Sequence, residues 1–124
     1  MTHSTSAWEI EVTDEFAEWW QNLTSDQQES VTDRVDLLVE RGPDLGRPVV
    51  DRIQTSLHHN MKELRAAKGG ALRVLFMFDP RRQVILLLGG DKSGAWKYWY
   101  EWAVPFADDL YDEYLDQLKR EGLI

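Results

Sequence analysis

The stretch Met61–Lys92, MKELRAAKGGALRVLFMFDPRRQVILLLGGDK, decides the fold. It predicts three strands: a short one over Met61–Arg65, a long apolar one over Ala71–Phe78, and an unbroken aliphatic run over Val84–Leu88. The Gly-containing loop Ala66–Gly70 and the turn Pro80-Arg81-Arg82 have the lengths that join strands into antiparallel hairpins. Strands this apolar need helices over them, because an open apolar sheet invites aggregation. Lys62, Arg65, Arg73 and Lys92 interrupt the pattern, inside or at the ends of the strands, where charge is costly to bury.

Upstream, Trp8–Val12 alternates apolar and acidic residues as a half-buried edge strand does. Thr13 or Asp14 then caps a helix with Phe16, Trp19, Trp20 and Leu23 on one face, the two tryptophans reading as core. Ser25-Asp-Gln-Gln28 has the form of a capping box and opens a second helix, with a Val31, Val35, Leu38 seam and a stop at Arg41-Gly42-Pro43. The short link between them implies an antiparallel helical hairpin packed on the sheet. Asp44–Asn60 reads as a long connection along the border of a cleft, closing on His58 and His59. Adjacent histidines on an extended chain point apart, so no metal site is expected of them. Downstream, Gly89–Gly94 reads as a flexible exit without the spacing of a phosphate loop. The aromatic run Ala95–Trp102 divides between core and the border of a groove, and Pro105 falls in the first turn of a final helix that Gly122 stops.

With 124 residues the chain fits one domain spanning 1–124. It has no cysteine, so neither disulfides nor a thiolate metal site hold it together. No basic-then-apolar leader opens MTHSTSAWEIEV and no apolar run is long enough to span a bilayer, which implies a cytoplasmic protein without a membrane partner. The net charge of −8 argues against a nucleic-acid partner until its distribution is read. Residues 1–40 carry one base and ten acids, residues 41–97 eleven bases and five acids, and residues 98–124 two bases and seven acids. A basic sheet-and-loop middle lies between acidic helices.

Taken in order, Leu57-x3-Met61-Lys-Glu-Leu-Arg65, then Leu72-Arg73-Val-Leu-Phe76, then Ile85-Leu-Leu-Leu88-x3-Lys92 resembles the RelE/ParE toxin superfamily, and within it the HigB branch related to phage-derived host-inhibition proteins. The resemblance covers nearly the whole chain. It implies an α+β, RelE-like fold: a small antiparallel sheet with the N-terminal helical hairpin on one face, a concave basic face opposite, and a C-terminal helix. It also implies the toxin of a type II toxin–antitoxin module, an mRNA endoribonuclease acting on the ribosome or on free message and silenced by a helix-turn-helix antitoxin. No cofactor is implied. The ParE branch implies the alternative, a non-catalytic inhibitor of a host protein such as DNA gyrase. The chain departs from the branch at Gly89–Ser93, where paired lysines are replaced.

Metal-free RNA cleavage needs the 2′-hydroxyl deprotonated, the phosphorane's charge stabilised and the 5′-oxygen protonated. Arg65 and Arg73 suit the second task, since guanidinium is always charged and grips phosphate in bidentate fashion. Lys92 could stabilise charge or act as base. Tyr98 or Tyr100 could stack a base or donate a proton, and Trp96 could stack likewise. Lys62, Lys97, His58 and His59 complete the candidate RNA-binding set, the histidines having the only naturally suitable pKa. Each has a plainer alternative: Arg65 pairing with Glu63, Arg73 in a buried salt bridge, Lys62 guarding an edge strand, Lys92 in an ordinary loop, and Arg81 and Arg82 solvated at a hairpin tip. The charge pattern further predicts that an antitoxin covers the basic face with an acidic or apolar segment.

Overall fold

Alternation along the central strands splits the molecule into two cores, one on each face of a single sheet. The computed structural model describes residues 8–67, 71–91 and 96–124, with the backbone alone at Trp96 and Lys97. The elements are β1 (Glu9–Val12), α1 (Asp14–Gln21), α2 (Ser25–Arg41), a 3-10 turn (Gly42–Asp44), β2 (Val50–Arg52), β3 (Lys62–Ala66), β4 (Leu72–Phe78), β5 (Gln83–Asp91) and α3 (Trp96–Arg120). The sheet order is β1-β5-β4-β3-β2. The three central strands are antiparallel, as the hairpin punctuation predicts, but β1 adds to β5 in parallel, so the sheet is mixed. A long excursion through the helical hairpin and β2–β4 separates β1 from its partner, as a parallel pairing requires.

Leu64, Val74, Phe76, Val84 and Leu86 face the helical hairpin, meeting Phe16, Val31, Val35 and Leu38. Met61, Leu75, Met77, Ile85 and Leu87 face the other way, against Ala103, Val104, Ala107, Leu110 and Tyr111 of α3. The small Ala103 and Ala107, both fully buried, let α3 lie close to the sheet. A bulge sets Leu75 opposite Leu88 but Phe76 opposite Leu86, leaving Leu87 as the extra residue. Its carbonyl accepts a hydrogen bond from Thr13 Oγ1 at 2.6 Å. The same Thr13 oxygen accepts from the Phe16 N–H and caps α1, so one side chain ties the helix start to the sheet.

Several expectations need correction. The cap of α2 is Thr24, one residue before the expected Ser25, with Gln27 completing the capping box. The Asp44–Asn60 connection contributes a strand, β2, so β3 is internal and Lys62 does not guard an edge. α3 begins at Trp96, and Pro105 lies in its interior. Pro105 is solvent-exposed, so water can satisfy the Glu101 carbonyl that its missing N–H leaves without a helical donor. Much of the face expected to be concave and basic is instead covered by α3.

Gly89 and Gly90 are not a flexible exit but strand residues of β5, and their lack of side chains serves packing. A Cβ on Gly89 would meet the Trp19 ring at 2.1 Å, and one on Gly90 the Trp99 ring at 2.3 Å. Each glycine seats one indole, on opposite faces of the strand. Gly122, at φ +73°, ends α3 as expected.

Candidate active site

The β3–β4 pairing sets Arg65 directly opposite Arg73. Like charges in that position repel, and the sheet tolerates them only if something neutralises them. Glu63, on the same face of β3 and 5% exposed, does so. Arg65 Nε donates to Glu63 Oε2 at 3.0 Å, and Arg73 Nε lies 3.8 Å from Glu63 Oε1. Arg65 Nη2 also reaches Asp51 Oδ2 of β2 at 3.0 Å. The Arg52 backbone N–H and then Arg47 hold the Asp51 carboxyl below its ordinary range. Arg73 is 9% exposed and its Nη1 donates to the Leu72 carbonyl, while its Nε is buried with no hydrogen-bond partner.

α3 brings the phenol. Tyr100 Oη donates to Glu63 Oε1 at 2.5 Å, so one carboxylate orients both arginines and the tyrosine. Burial, then the bond to Glu63, push the Tyr100 pKa up to about 12. At neutral pH this phenol is a proton donor. Trp99, beside it in an edge-on contact 5.0 Å between centroids, anchors this end of α3 over Gly90, the residue paired with Arg73.

Beside Arg65 and Arg73 lies a concavity of about 400 Å³ between α2, the start of β2 and the β3–β4 hairpin. Arg34, Pro48, Arg65, Ala66, Ala67, Ala71 and Arg73 line it. Arg34 was absent from the sequence-derived set. The available signal was that it is the one Lys or Arg among the first 40 residues.

The remaining candidates are scattered. Lys62 lies at the other end of β3 and stands 5.5 Å over the Phe78 ring. His58 and His59 line a different cavity with Met77, Phe78 and Asp79, at the far end of β4 from Arg73. His58 Nε2 contacts Asp112 Oδ1 at 2.9 Å, and its ring packs edge-on against Tyr111. Among the described residues no cluster of three or more potential metal ligands occurs. Tyr98 is 65% exposed. Lys92 and the side chains of Trp96 and Lys97 lie outside the described residues. At the β4–β5 turn Arg81 and Arg82 are engaged: Arg81 donates to Tyr114 Oη at 3.2 Å, and Arg82 stacks 4.6 Å over Trp8.

The fold is that of the RelE toxins. The isolated Escherichia coli RelE toxin superposes with a TM-score of 0.57 at 12% identity, covering 77% of this chain and 97% of that one. The Mycobacterium tuberculosis toxin–antitoxin complex RelBE2 gives 0.54 at 15% identity, covering 68% and 98%. The family described as Phage derived protein Gp49-like matches residues 18–112, and the chain belongs to it, as a HigB-like member of the RelE superfamily. One M. tuberculosis relative, named "Putative toxin HigB3", is 55% identical over 97 residues, 78% of this chain and 84% of the relative. Another, "Putative toxin HigB2", is 42% identical over 103 residues, 82% of this chain but only 51% of its own length. These names are those of the HigB branch, so the gyrase alternative gains no support. No helix among the described residues is long and apolar enough to cross a membrane.

Proposed function

We propose that this protein is the toxin of a type II toxin–antitoxin module and that it inhibits translation by cleaving mRNA without a metal. The observation that carries the reading is the register of Arg65 against Arg73 at the edge of an open cavity, with a protonated phenol beside them. In this reading the 2′-oxygen attacks the adjacent phosphorus, and the P–O5′ bond breaks to leave a 2′,3′-cyclic phosphate and a 5′-hydroxyl. Arg65 and Arg73 stabilise the added charge of the phosphorane. Tyr100 supplies a proton toward the departing 5′-oxygen, and Glu63 positions all three. Lys92 follows directly on Asp91, the strand partner of Leu72, and is the candidate for removing the 2′-hydroxyl proton or stabilising charge. Tyr98, Trp96 and Lys97, at the start of α3, are candidates for contact with the bases and backbone of the message.

The protein works in the cytoplasm, on messages held by the ribosome. A helix-turn-helix antitoxin silences it by laying an acidic or apolar segment over the arginine end of the sheet. The test is induced expression beside an Arg73→Ala control, with genome-wide mapping of new 5′-hydroxyl RNA ends. New ends within translated messages that vanish in the variant support the reading. Growth arrest without new ends would sink it.

A further inference from the structure

We propose that Arg34 is the third guanidinium of a phosphate-binding pocket, and that it holds an RNA backbone phosphate next to the one addressed by Arg65 and Arg73. That the ligand is RNA rests on the ribonuclease reading; that the pocket takes a phosphate does not.

The lining carries the argument. Among the described residues, every charged residue lining the concavity is an arginine, and the others are Pro48, Ala66, Ala67 and Ala71. No carboxylate among the described residues lines it. Glu63 and Asp51, which neutralise Arg65 and Arg73, are not among the lining residues. Alanine walls leave room and offer nothing to read a base, so the pocket suits the sequence-independent part of a nucleic acid. A guanidinium keeps its charge at every accessible pH, so a cavity lined by three arginines and, among the described residues, by no acid favours an anion.

Two further observations point to Arg34 itself. It is the one cation among ten acids in residues 1–40, and it falls at this cavity. On α2 it stands one residue before Val35 and three after Val31, at the margin of the buried seam, half-buried. Its guanidinium has neither an ion pair nor a hydrogen bond among the described residues. Arg73, buried on the same wall, keeps an Nε–H without an acceptor. That Nε is sealed from solvent, so the donors open to a ligand are those of Arg34. Because Arg34 comes from a helix and its companions from the sheet, a bound phosphate would also join the two layers.

The experiment has two probes. Pyrophosphate is added to the wild-type protein and to Arg34→Gln, and the unfolding midpoint is followed. A single-stranded 2′-O-methyl RNA, which lacks the attacking hydroxyl, is titrated by fluorescence anisotropy at several salt concentrations. Wild type should be stabilised by pyrophosphate, and Arg34→Gln should not. For RNA, Arg34→Gln should lose about tenfold in affinity, and its dependence of log K on log salt should flatten by about 0.7, one phosphate's worth for a single strand. Arg34→Lys should restore the salt slope. Circular dichroism of the free variants checks that α2 is intact. If pyrophosphate stabilises wild type and Arg34→Gln alike, or neither, the pocket assignment falls, whatever the protein does to RNA. If pyrophosphate discriminates but no RNA is cleaved in cells, the pocket stands and the ribonuclease reading falls. Unchanged RNA affinity and salt slope in Arg34→Gln, with cleavage lost only in Arg73→Ala, would leave the nuclease and remove Arg34 from it.

Discussion

Replacing Glu63 with alanine should do more damage than any other single change of a charged residue. Its side chain is 6% exposed and faces Arg73 at 11% and Arg65 at 33%. Breaking a buried ion pair by removing one partner costs about 3–5 kcal/mol, mostly because the other charge is left uncompensated. Arg65 keeps Asp51 and a third of its surface in water, so its share of that cost is small. Arg73 has no second carboxylate among its described contacts and is the group left stranded. Tyr100 loses its acceptor as well, worth about 1 kcal/mol. We expect Glu63→Ala to lose about 3–4 kcal/mol, measured as a lower urea midpoint at pH 7 with the slope unchanged. At about 4 °C per kcal/mol for a domain of this size, the thermal midpoint should fall by about 15 °C. Combining it with Arg73→Leu should recover most of the loss, because an apolar side chain needs no counter-charge. A Glu63→Ala variant within about 1 kcal/mol of wild type would refute the reasoning. So would a double variant no more stable than the single one, because stranding of Arg73 would then not be the cause.

Gly90→Ala places a methyl group 2.3 Å from the Trp99 indole, and should cost about 1–3 kcal/mol by overpacking, eased when Trp99 is also cut to leucine. The same urea titration would expose an error if Gly90→Ala were neutral. Tyr100 and Tyr114 are both raised to about 12. Their folded pKa lies above the unfolded value near 10, so their contribution to stability is full below pH 10 and is lost as pH rises through about 12. Tyr111 is raised too, by burial and then by Asp79, so ultraviolet titration of the folded protein should show three of the four tyrosines ionising late; all four titrating together near 10 would contradict it. Asp108, 2% exposed, accepts from Ser56 Oγ and the Leu57 N–H, fastening the loop before β3 to α3. Asp108→Ala should cost about 2 kcal/mol and open residues 54–60 to proteolysis, whereas an unchanged cleavage pattern would count against the clasp.

What was legible in the sequence followed from periodicity. The 3.6-residue pattern of Phe16, Trp19, Trp20 and Leu23 and the aliphatic run Val84–Leu88 are local signals, and the helices and strands form where they point. β2 was missed because three residues, Val50–Arg52, form a strand only when β3 is there to pair with them. Pro105 misled because proline usually marks a first turn; here tertiary packing of Trp99, Ala103 and Ala107 carries the helix through it. Of the candidate site, Arg65 and Arg73 could be named as charges in apolar strands, yet nothing local told that they stand opposite each other. Lys62 and the histidines carried the same kind of signal and lie elsewhere, since charge in a strand does not say which end of the sheet it will occupy. Glu63 was read only as a partner of Arg65; its hold on Arg73 and Tyr100 depends on strand register and helix placement that alternation does not fix.

The parallel pairing of β1 with β5 also sets a timetable for synthesis. Glu9–Val12 leaves the ribosome 74 residues ahead of its partners Gln83–Leu86. Until then the apolar strip of β1 has no sheet to join. The arginine pair is complete at residue 73, and the phenol that shares its carboxylate arrives only with residue 100. At the usual elongation rate of about 5–20 residues per second, seconds separate the first strand from the finished site. The arginine–phenol cluster therefore assembles only after both strands of the β3–β4 hairpin and the first turn of α3 have been made.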